Sequence, residues 1–374
     1  MIFILKKIVS LQSDLKYKRM NDSFLISGIQ QIGVGTTDIY RSWKWYAEHF
    51  QLNVRILEDK NVADIMAPYM GNMPHKKHAC ITINMQGGGG FEIWQYSDRT
   101  PVSVEFQIGV GDLGIFAGKI KSRDVKLFHQ EIGEKYHSIS PVYKNPLGEP
   151  VFYILDPFGN YFQVVEDKFV YIDEKNLSGG CVGAMIGVSD IERSRKLYGD
   201  VLGYDTVIYD KTDTFEDFEF MHRGAEKYRR VLLSHSQERK GAFAELFGKS
   251  TIELVAALER RPRKIYENRY WGDPGFIQLC FDVSNMKALG HHCEKQGFPF
   301  TVDSCKNPNI SFDMGDAAGQ FTYIEDPDGT LIEFVETHKI PIFKKLGWYL
   351  NLRKRNREKP LPKWMLRMVG LNRF

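Results

Sequence analysis

The sequence predicts an α+β fold that is built from four βαβββ units and ends in a basic helical tail. Four stretches open with an apolar strand pattern, followed by an Asp or Asn and then by an amphipathic helix. Each opening leads into alternating apolar and polar residues, the pattern of strands with one buried face. Two of the units also repeat the same Asp-Pro-x-Gly turn before their last strand.

The four openings can be aligned on the residue that precedes each helix. An Asp or Asn at this position suits a helix N-cap, because its side chain accepts a backbone N–H of the first turn. The openings are IQQIGVGTTDIYRSWKWYAEHFQL from Ile29, IFAGKIKSRDVKLFHQEIGE from Ile115, VGAMIGVSDIERSRKLYGDVLGY from Val182 and IQLCFDVSNMKALGHHCEKQGF from Ile277. The corresponding N-caps are Asp38, Asp124, Asp190 and Asn285.

Each unit closes in a strand that alternates apolar and polar residues. These closing strands read GFEIWQY, YFQVVED, STIELVAAL and LIEFVET. In the second and fourth units an Asp-Pro-x-Gly turn precedes the strand, in FYILDPFGNYFQVVED and FTYIEDPDGTLIEFVET. Proline at the second position and glycine at the fourth favour a tight turn, so both segments are predicted hairpins.

Composition places the chain among ordinary globular proteins. The 374 residues are 43% hydrophobic and 26% charged, enough to bury a large core. The five cysteines form no C-x-x-C pair, which favours reduced thiols in a cytoplasmic protein. The start, MIFILKK, has too short an apolar run for a secretory signal, and no run of about 18 apolar residues predicts a membrane span.

The positive charge lies mainly at the end of the chain. The tail, residues 338–374, carries eleven Lys or Arg residues against Glu358, while the net charge of the whole chain is +3. The rest of the chain is therefore acidic, which argues against a nucleic-acid partner. Basic residues alternate in the tail with Trp348, Trp364 and other apolar side chains, so it either lies on an anionic membrane or docks on the acidic body or on a second subunit of a homodimer.

Together these motifs resemble the vicinal oxygen chelate superfamily, which includes glyoxalase I, methylmalonyl-CoA epimerase, extradiol dioxygenases and bleomycin-resistance proteins. The resemblance runs from about Ile29 to Thr337. It implies that two units pair into one open barrel, so four units form two barrels. The predicted division is a leader at 1–27, a first barrel at 28–170 (units 1 and 2), a second barrel at 179–337 (units 3 and 4) and the tail at 338–374.

The resemblance also implies where a metal would bind. The family uses one residue of the first strand, seven positions before the N-cap, and one residue of the last strand of each unit. The first-strand positions are Gln31, about Ala117, Gly183 and Gln278, and the last-strand positions are Glu92, Gln163, Glu253 and Glu333. Divalent first-row metals accept such nitrogen and oxygen ligands.

The second barrel is the better candidate, because it offers Glu253, Gln278 and Glu333 as ligands. Either Glu333 or Glu253 would also act as the catalytic base, which requires a pKa raised toward neutrality. A secondary site would consist of Gln31, Glu92 and Gln163. The ligand set does not distinguish Zn²⁺, Ni²⁺, Mn²⁺, Mg²⁺ and Fe²⁺ from one another.

Three functions stay open from the sequence. The first is a metal-dependent lyase or isomerase, glyoxalase-like or epimerase-like, that acts on a small oxygenated substrate through an enolate-type intermediate. The second is a metal-free protein that binds or sequesters a small molecule, an aromatic one if Trp94 lines the pocket beside Glu92 rather than only packing the barrel core. The third is a non-haem dioxygenase, which is disfavoured because no first-strand position holds a histidine.

Overall fold

The computed structural model describes residues 23–306, 312–313, 318–343 and 347–373. Most of the predicted leader therefore lies outside the described residues. Each predicted unit forms one helix and its strands. The first unit comprises β1 (Leu25–Gly35), α1 (Ile39–Phe50), β2 (Val54–Val62), β3 (Lys76–Ile83) and β4 (Gly90–Tyr96). The second comprises β5 (Gly114–Ser122), α2 (Val125–Gly133), β6 (Tyr143–Lys144), β7 (Pro150–Leu155) and β8 (Tyr161–Glu166).

The later units follow the same order with short additions. The third comprises β9 (Ser178–Gly187), α3 (Ile191–Arg195, continued by a π-helix at Lys196–Val201), β10 (Thr206–Asp213), β11 (Tyr228–Ser234), α4 (Ala244–Phe247) and β12 (Thr251–Ala257). The fourth comprises β13 (Gly275–Ser284), α5 (Met286–Lys295), β14 (Val302–Asp303), β15 (Phe312–Asp313), β16 (Ala318–Glu325) and β17 (Leu331–Phe343). The tail adds β18 (Trp348–Asn351) and α6 (Lys363–Val369).

The predicted helix starts and turns are confirmed. Each N-cap side chain accepts a backbone N–H three residues on, and the four caps are Asp38, Asp124, Asp190 and Asn285. In the Asp-Pro-x-Gly turns, Asp156 accepts the N–H groups of Phe158 and Asn160, and Asp326 accepts those of Asp328 and Thr330. These signals are local, so the sequence specifies them without knowledge of the tertiary fold.

The strands form two large sheets whose unit pairing differs from the prediction. Sheet A has the order β14-β16-β17-β13-β1-β4-β3-β2, with β15 beside β16 and β18 beside β17. Sheet B has the order β10-β11-β12-β9-β5-β8-β7-β6. Sheet A therefore combines units 1 and 4, and sheet B combines units 2 and 3. The predicted barrels at 28–170 and 179–337 are corrected accordingly.

The opening strands cause this interleaving. β1 runs antiparallel to β13, and β5 runs antiparallel to β9, so each sheet is joined at its centre by two opening strands. Only residues 167–177 separate units 2 and 3, which pair directly, and units 1 and 4 pair around them. In each half-sheet the closing strand lies parallel to its own opening strand.

The largest apolar core lies between the helices and one face of each sheet. It includes Ile32 and Val34 of β1 together with Trp43 and Tyr46 of α1. The opposite face of each sheet, here called the inner face, has its own smaller cluster. Trp94, Trp271 and Tyr323 belong to the cluster of sheet A, and Tyr153, Met185 and Phe218 to that of sheet B. The predicted site residues project from these inner faces, because they alternate along the strands with the core residues.

The tail docks on the body of the chain. Leu361 and Leu366 pack in a cluster with Val54 and Ile83 of sheet A, and β18 extends the sheet beside β17. This is the docking alternative of the sequence analysis. Among the described residues, no helix is both long enough and apolar enough to cross a membrane.

Candidate functional site

Four of the predicted site residues meet on the inner face of sheet A. Gln31 and Gln278 lie on the paired opening strands, and Glu92 and Glu333 lie on the closing strands that flank them. We call this set the Gln/Glu cluster. It combines the predicted secondary residues Gln31 and Glu92 with the predicted metal residues Gln278 and Glu333, because units 1 and 4 share one sheet.

The amide groups of the cluster hold its carboxylates together. Gln278 Nε2 donates to Glu92 Oε2 at 2.8 Å and to Glu333 Oε2 at 3.3 Å. Gln31 Nε2 donates to the same Glu92 oxygen at 3.2 Å. Three of the four side chains are almost completely buried, with exposures of 2% for Gln31, 0% for Gln278 and 6% for Glu333, and Glu92 is half-buried.

Glycine at position 33 makes room for this arrangement. Gly33 lies opposite Gln278 in the β1–β13 pair. A Cβ atom at Gly33 would come within 2.6 Å of Gln278 Cδ, closer than side-chain atoms pack. Any larger residue at position 33 would therefore displace the Gln278 amide.

Simultaneous ionisation of Glu92 and Glu333 is unfavourable in this cluster. Burial raises the pKa of Glu333 well above its ordinary value, and the neighbouring Glu92 carboxylate raises it further. Burial also raises the pKa of Glu92. Two buried carboxylates that share an amide donor behave as a pair that retains a proton. Such a pair is suited to proton transfer.

The donor set of the cluster fits a divalent cation. Among the described residues, no Lys or Arg forms an ion pair with Glu92 or Glu333, and the nearby Lys77 pairs with Asp59 at 2.5 Å. Gln31 Oε1 is buried without a hydrogen-bond partner in the part of the chain that the structure describes, an orphaned acceptor beside two carboxylates. Amide and carboxylate oxygens are ligands for hard divalent ions. No group of three His, Cys, Asp or Glu side chains suited to a metal occurs in the described part of the chain.

Aromatic side chains surround the cluster. Trp94, two residues after Glu92 on β4, is fully buried on the same inner face, as the alternation of the strand predicts. Its ring lies 4.9 Å from that of Trp271, with an edge-to-face angle of 67°. Trp271 Nε1 donates to Gln278 Oε1 at 2.8 Å. The two indoles therefore pack beside the cluster, and that of Trp271 is hydrogen-bonded to it.

The equivalent position on sheet B holds a lysine ammonium. Lys119 Nζ of β5 lies 2.6 Å from Glu253 Oε2 and 2.8 Å from Gln163 Oε1. Lys119 pairs with Gly183, as Gly33 pairs with Gln278 on sheet A. The side chain of Lys119 therefore enters the space left by the missing side chain at Gly183, and Ala117, two residues earlier, offers no ligand.

An internal ion network completes the sheet B cluster. Arg230 Nε donates to Glu253 Oε1 at 2.7 Å, and the Arg230 guanidinium also binds Asp217. Tyr209 donates its hydroxyl to the same Glu253 oxygen at 2.7 Å. Although burial alone would raise it, the pKa of Glu253 falls to about 2 because the cations of Arg230 and Lys119 stabilise the carboxylate. Such a carboxylate is a poor base at neutral pH.

The predicted grouping of Glu253 with Gln278 and Glu333 is therefore wrong. Glu253 lies on sheet B, in contact with two cations, whereas Gln278 and Glu333 lie on sheet A. Gln163, predicted to accompany Gln31 and Glu92, also lies on sheet B, where its amide binds Lys119 and the hydroxyl of Tyr153. The error follows from the incorrect pairing of the units.

Sequence reasoning missed four buried residues near these inner faces. Lys119 and Lys121 interrupt an otherwise apolar opening strand, IFAGKIKS, and this signal would have indicated a buried cation. Arg230 similarly precedes the apolar run VLLS. Trp271 lies in the connection between β12 and β13, where no periodic pattern indicates its position.

Comparisons with known proteins agree with this architecture. Residues 184–313 match a family model described as the Glyoxalase/Bleomycin resistance protein/Dioxygenase superfamily. The structure is similar to glyoxalase I from Zea mays, with a TM-score of 0.50 and 16% identity over 84% of this chain and 92% of that one. It is also similar to a putative dioxygenase from Bacillus subtilis, with a TM-score of 0.54 and 14% identity over 83% of this chain and 86% of that one. No curated protein sequence matches the chain.

Proposed function

We propose, from the match of residues 184–313 to the glyoxalase/bleomycin resistance protein/dioxygenase superfamily together with the geometry of sheet A, that the Gln/Glu cluster is the active site of a metal-dependent lyase or isomerase. The substrate would be a small oxygenated molecule with a hydrogen on the carbon next to a carbonyl. One observation carries the proposal: the buried Glu333, the partly buried Glu92 and two glutamines converge on one sheet face without a Lys or Arg ion pair to either carboxylate among the described residues.

The side chains of the chain would share the chemistry as follows. Glu92 and Glu333, with oxygens from Gln31 and Gln278, would hold the divalent ion. The bound ion would supply Lewis-acid polarisation of the substrate carbonyl. Glu333 would remove the proton next to that carbonyl, which leaves an enolate-type intermediate of the substrate, and would then return the proton to that intermediate. The surrounding aromatic rings would exclude water and contact the apolar part of the substrate.

Sheet B would take no part in this reaction. Lys119 and Arg230 already neutralise Glu253, so the cluster of sheet B needs no metal ion. We therefore propose one active site per chain, on sheet A.

Metal binding and proton exchange test the proposal together. Purified protein is loaded separately with Zn²⁺, Ni²⁺, Mn²⁺, Mg²⁺ and Fe²⁺, and bound metal is measured by elemental analysis. Wild type is expected to bind one ion per chain. Glu333→Gln and Glu92→Gln are expected to bind it at least tenfold more weakly. Glu253→Gln is the matched control and should retain the wild-type affinity. Unchanged metal binding by Glu333→Gln and Glu92→Gln would refute the assignment.

The reaction type has its own assay. The loaded enzyme is incubated in D₂O with a panel of 2-hydroxy and 2-oxo compounds, and exchange of the carbon-bound hydrogen is followed by NMR. Exchange that requires Glu333 supports a lyase or isomerase. Consumption of dioxygen with these compounds would instead indicate a dioxygenase.

A metal-free binding protein is the second candidate, and one observation favours it. The Gln278 amide already satisfies both carboxylates, and buried aromatic rings fill the inner face of sheet A. If wild type binds none of the five ions but binds uncharged aromatic compounds such as phenol or indole in calorimetry, this function replaces the first.

The tail carries a separate proposal. Trp348 and Trp364 stay 55% and 50% exposed beside basic residues, which suits peripheral contact with an anionic membrane surface. Sedimentation with phosphatidylserine vesicles tests this, because Trp364→Ser should lower the bound fraction whereas neutral vesicles should bind neither protein. A homodimer and a cytoplasmic location stay predictions from the sequence.

A further inference from the structure

Trp271 belongs to a connector that closes both inner faces. This connector, residues 258–274, joins β12 of sheet B to β13 of sheet A. Ile265 packs in the inner cluster of sheet B, and Trp271 packs in that of sheet A. Because no regular strand or helix holds the connector, its position depends on individual contacts.

Several contacts fix the connector over the Gln/Glu cluster. The backbone N–H of Trp271 donates to Tyr69 O at 3.0 Å, and the Tyr96 hydroxyl donates to Trp271 O at 2.5 Å. Arg99 forms an ion pair with the buried Asp273 at 2.7 Å. Trp271 itself is only 7% exposed. The indole is therefore held in place when its N–H binds Gln278.

The indole hydrogen bond decides which way the Gln278 amide points. Trp271 Nε1 donates to Oε1, so Nε2 is directed at Glu92 and Glu333. A planar amide cannot offer its oxygen to the indole and to the carboxylate side at once. Half a turn about the last side-chain bond would direct the oxygen at the carboxylates, but would set the NH₂ group against the indole N–H.

Gln31 has no such restraint. Its amide also donates to Glu92, but its oxygen is buried without a donor. Turning the Gln31 amide toward a cation would therefore break no hydrogen bond at that oxygen. The two glutamines differ in this respect because only Gln278 contacts an indole N–H.

We propose that Trp271 is a positioning residue that holds Gln278 in its amide-donor orientation, so that cation binding at the Gln/Glu cluster is coupled to withdrawal of the Trp271 indole. The proposal rests on the proposed function, because it presumes that the cluster binds a divalent ion.

Trp94 supplies a matched control. Both indoles are buried in the same cluster, with ring centroids 4.9 Å apart, but Trp94 Nε1 has no hydrogen-bond partner within the described ranges of the chain. Zn²⁺ affinity is measured by competition with a chromophoric chelator. Trp271→Phe is expected to bind Zn²⁺ about tenfold more tightly than wild type, since the competing hydrogen bond is gone, and Trp94→Phe to stay within twofold. Thermal unfolding of each variant checks that it is folded.

Indole NMR gives a second readout that does not depend on affinity. In ¹⁵N-labelled protein, the indole N–H signal of Trp271 is assigned as the one that is lost in Trp271→Phe. In wild type, this signal should shift when Zn²⁺ binds, and its proton should exchange faster with solvent. Gln278→Glu sharpens the test, because one carboxylate oxygen can accept the indole while the other faces the cation. That variant should bind Zn²⁺ tightly and leave the Trp271 signal in place.

The outcomes separate the two proposals. If wild type binds Zn²⁺ but Trp271→Phe has the wild-type affinity, or if the Trp271 signal does not change on binding, the coupling is overturned and the proposed function stands. If none of the four proteins binds Zn²⁺ or any of the other four divalent ions, both are overturned.

Discussion

At the scale of single residues, Glu253 and Glu333 show how surroundings determine the role of a carboxylate. Both lie on closing strands of their units. Burial raises the pKa of Glu333, and Glu92 raises it further, whereas Arg230 and Lys119 overcome the effect of burial and hold the pKa of Glu253 near 2. The same residue type is therefore suited to proton transfer on sheet A and to a structural ion pair on sheet B.

Replacing Lys119 by methionine should destabilise the protein. Glu253 would keep Arg230 but lose the cation at 2.6 Å, and an undercompensated buried charge costs about 2–4 kcal/mol. Urea unfolding measures the loss. Lys121→Met is the control, because Lys121 pairs with Asp167, whose side chain is 26% exposed and can be hydrated. Lys121→Met should therefore lower the free energy of unfolding by less than Lys119→Met does. Equal losses would contradict a special role for Lys119.

Asp282 predicts a pH dependence of stability. Burial raises its pKa to about 7 in the folded state, against about 3.9 in an unfolded chain. The folded state therefore binds this proton more tightly, and the stabilisation is complete below about pH 4 and lost as the pH rises through 7. The asparagine of Asp282→Asn stays neutral at both pH values. The free energy of unfolding of Asp282→Asn, relative to that of wild type, should therefore rise by as much as about 4 kcal/mol between pH 4 and pH 8. Urea unfolding at both pH values measures this gain, and a constant difference would contradict it.

At the scale of elements, each central strand pair combines one large side chain with a glycine. On sheet A the glycine is Gly33 of β1 and the large residue is Gln278 of β13. On sheet B the large residue is Lys119 of β5 and the glycine is Gly183 of β9. The large side chain lies on the second opening strand of sheet A but on the first opening strand of sheet B. The Gln278 amide leaves the carboxylates of sheet A available to a metal ion, whereas the Lys119 ammonium takes the place of a metal ion on sheet B.

Exchanging these two residues on sheet A should convert its cluster to the sheet B type. Gln278→Gly alone removes the amide donor that Glu92 and Glu333 share and leaves only the Gln31 amide on Glu92, so melting temperature and Zn²⁺ affinity should both fall. Adding Gly33→Lys places an ammonium between the carboxylates, and should restore melting temperature while abolishing Zn²⁺ binding. Calorimetry measures both quantities. A double variant that binds Zn²⁺ as well as Gln278→Gly does would contradict the equivalence.

The elements differ in how far the sequence predicts them. Asp190 and the Asp326 turn are predicted because cap and turn geometry need only neighbouring residues. The pairing of β1 with β13 is not, since four similar opening strands allow several pairings and the contact spans about 250 residues. The sequence therefore predicts that Gln278 lies with Glu333 and Gln31 with Glu92, but not that these two pairs join in one cluster.

At the scale of the whole molecule, the two halves of the chain are interleaved. Each sheet takes one unit from each half, so the sheets link units 1 with 4 and 2 with 3. Consecutive units are joined by helix-to-turn contacts instead: the Tyr46 hydroxyl donates to Asp156 at 2.7 Å, and that of Tyr198 donates to Asp326 at 3.0 Å. The Gln/Glu cluster exists only when both halves are present.

The halves should therefore fold only together. When the halves are expressed separately, residues 23–174 lack the strands that pair with β1 and β5, and residues 175–374 lack those that pair with β13 and β9. Each half should be unfolded or aggregated, because it exposes unpaired strand edges. When the two halves are mixed in denaturant and the denaturant is then removed, they should form a 1:1 complex that unfolds cooperatively and binds Zn²⁺. Size-exclusion chromatography and circular dichroism measure this. Full-length protein cleaved at a protease site inserted between Asp173 and Asn176 is the control and should stay native. Either half alone forming a cooperatively folded monomer would show that consecutive units can pair, and that the interleaving is not required for folding.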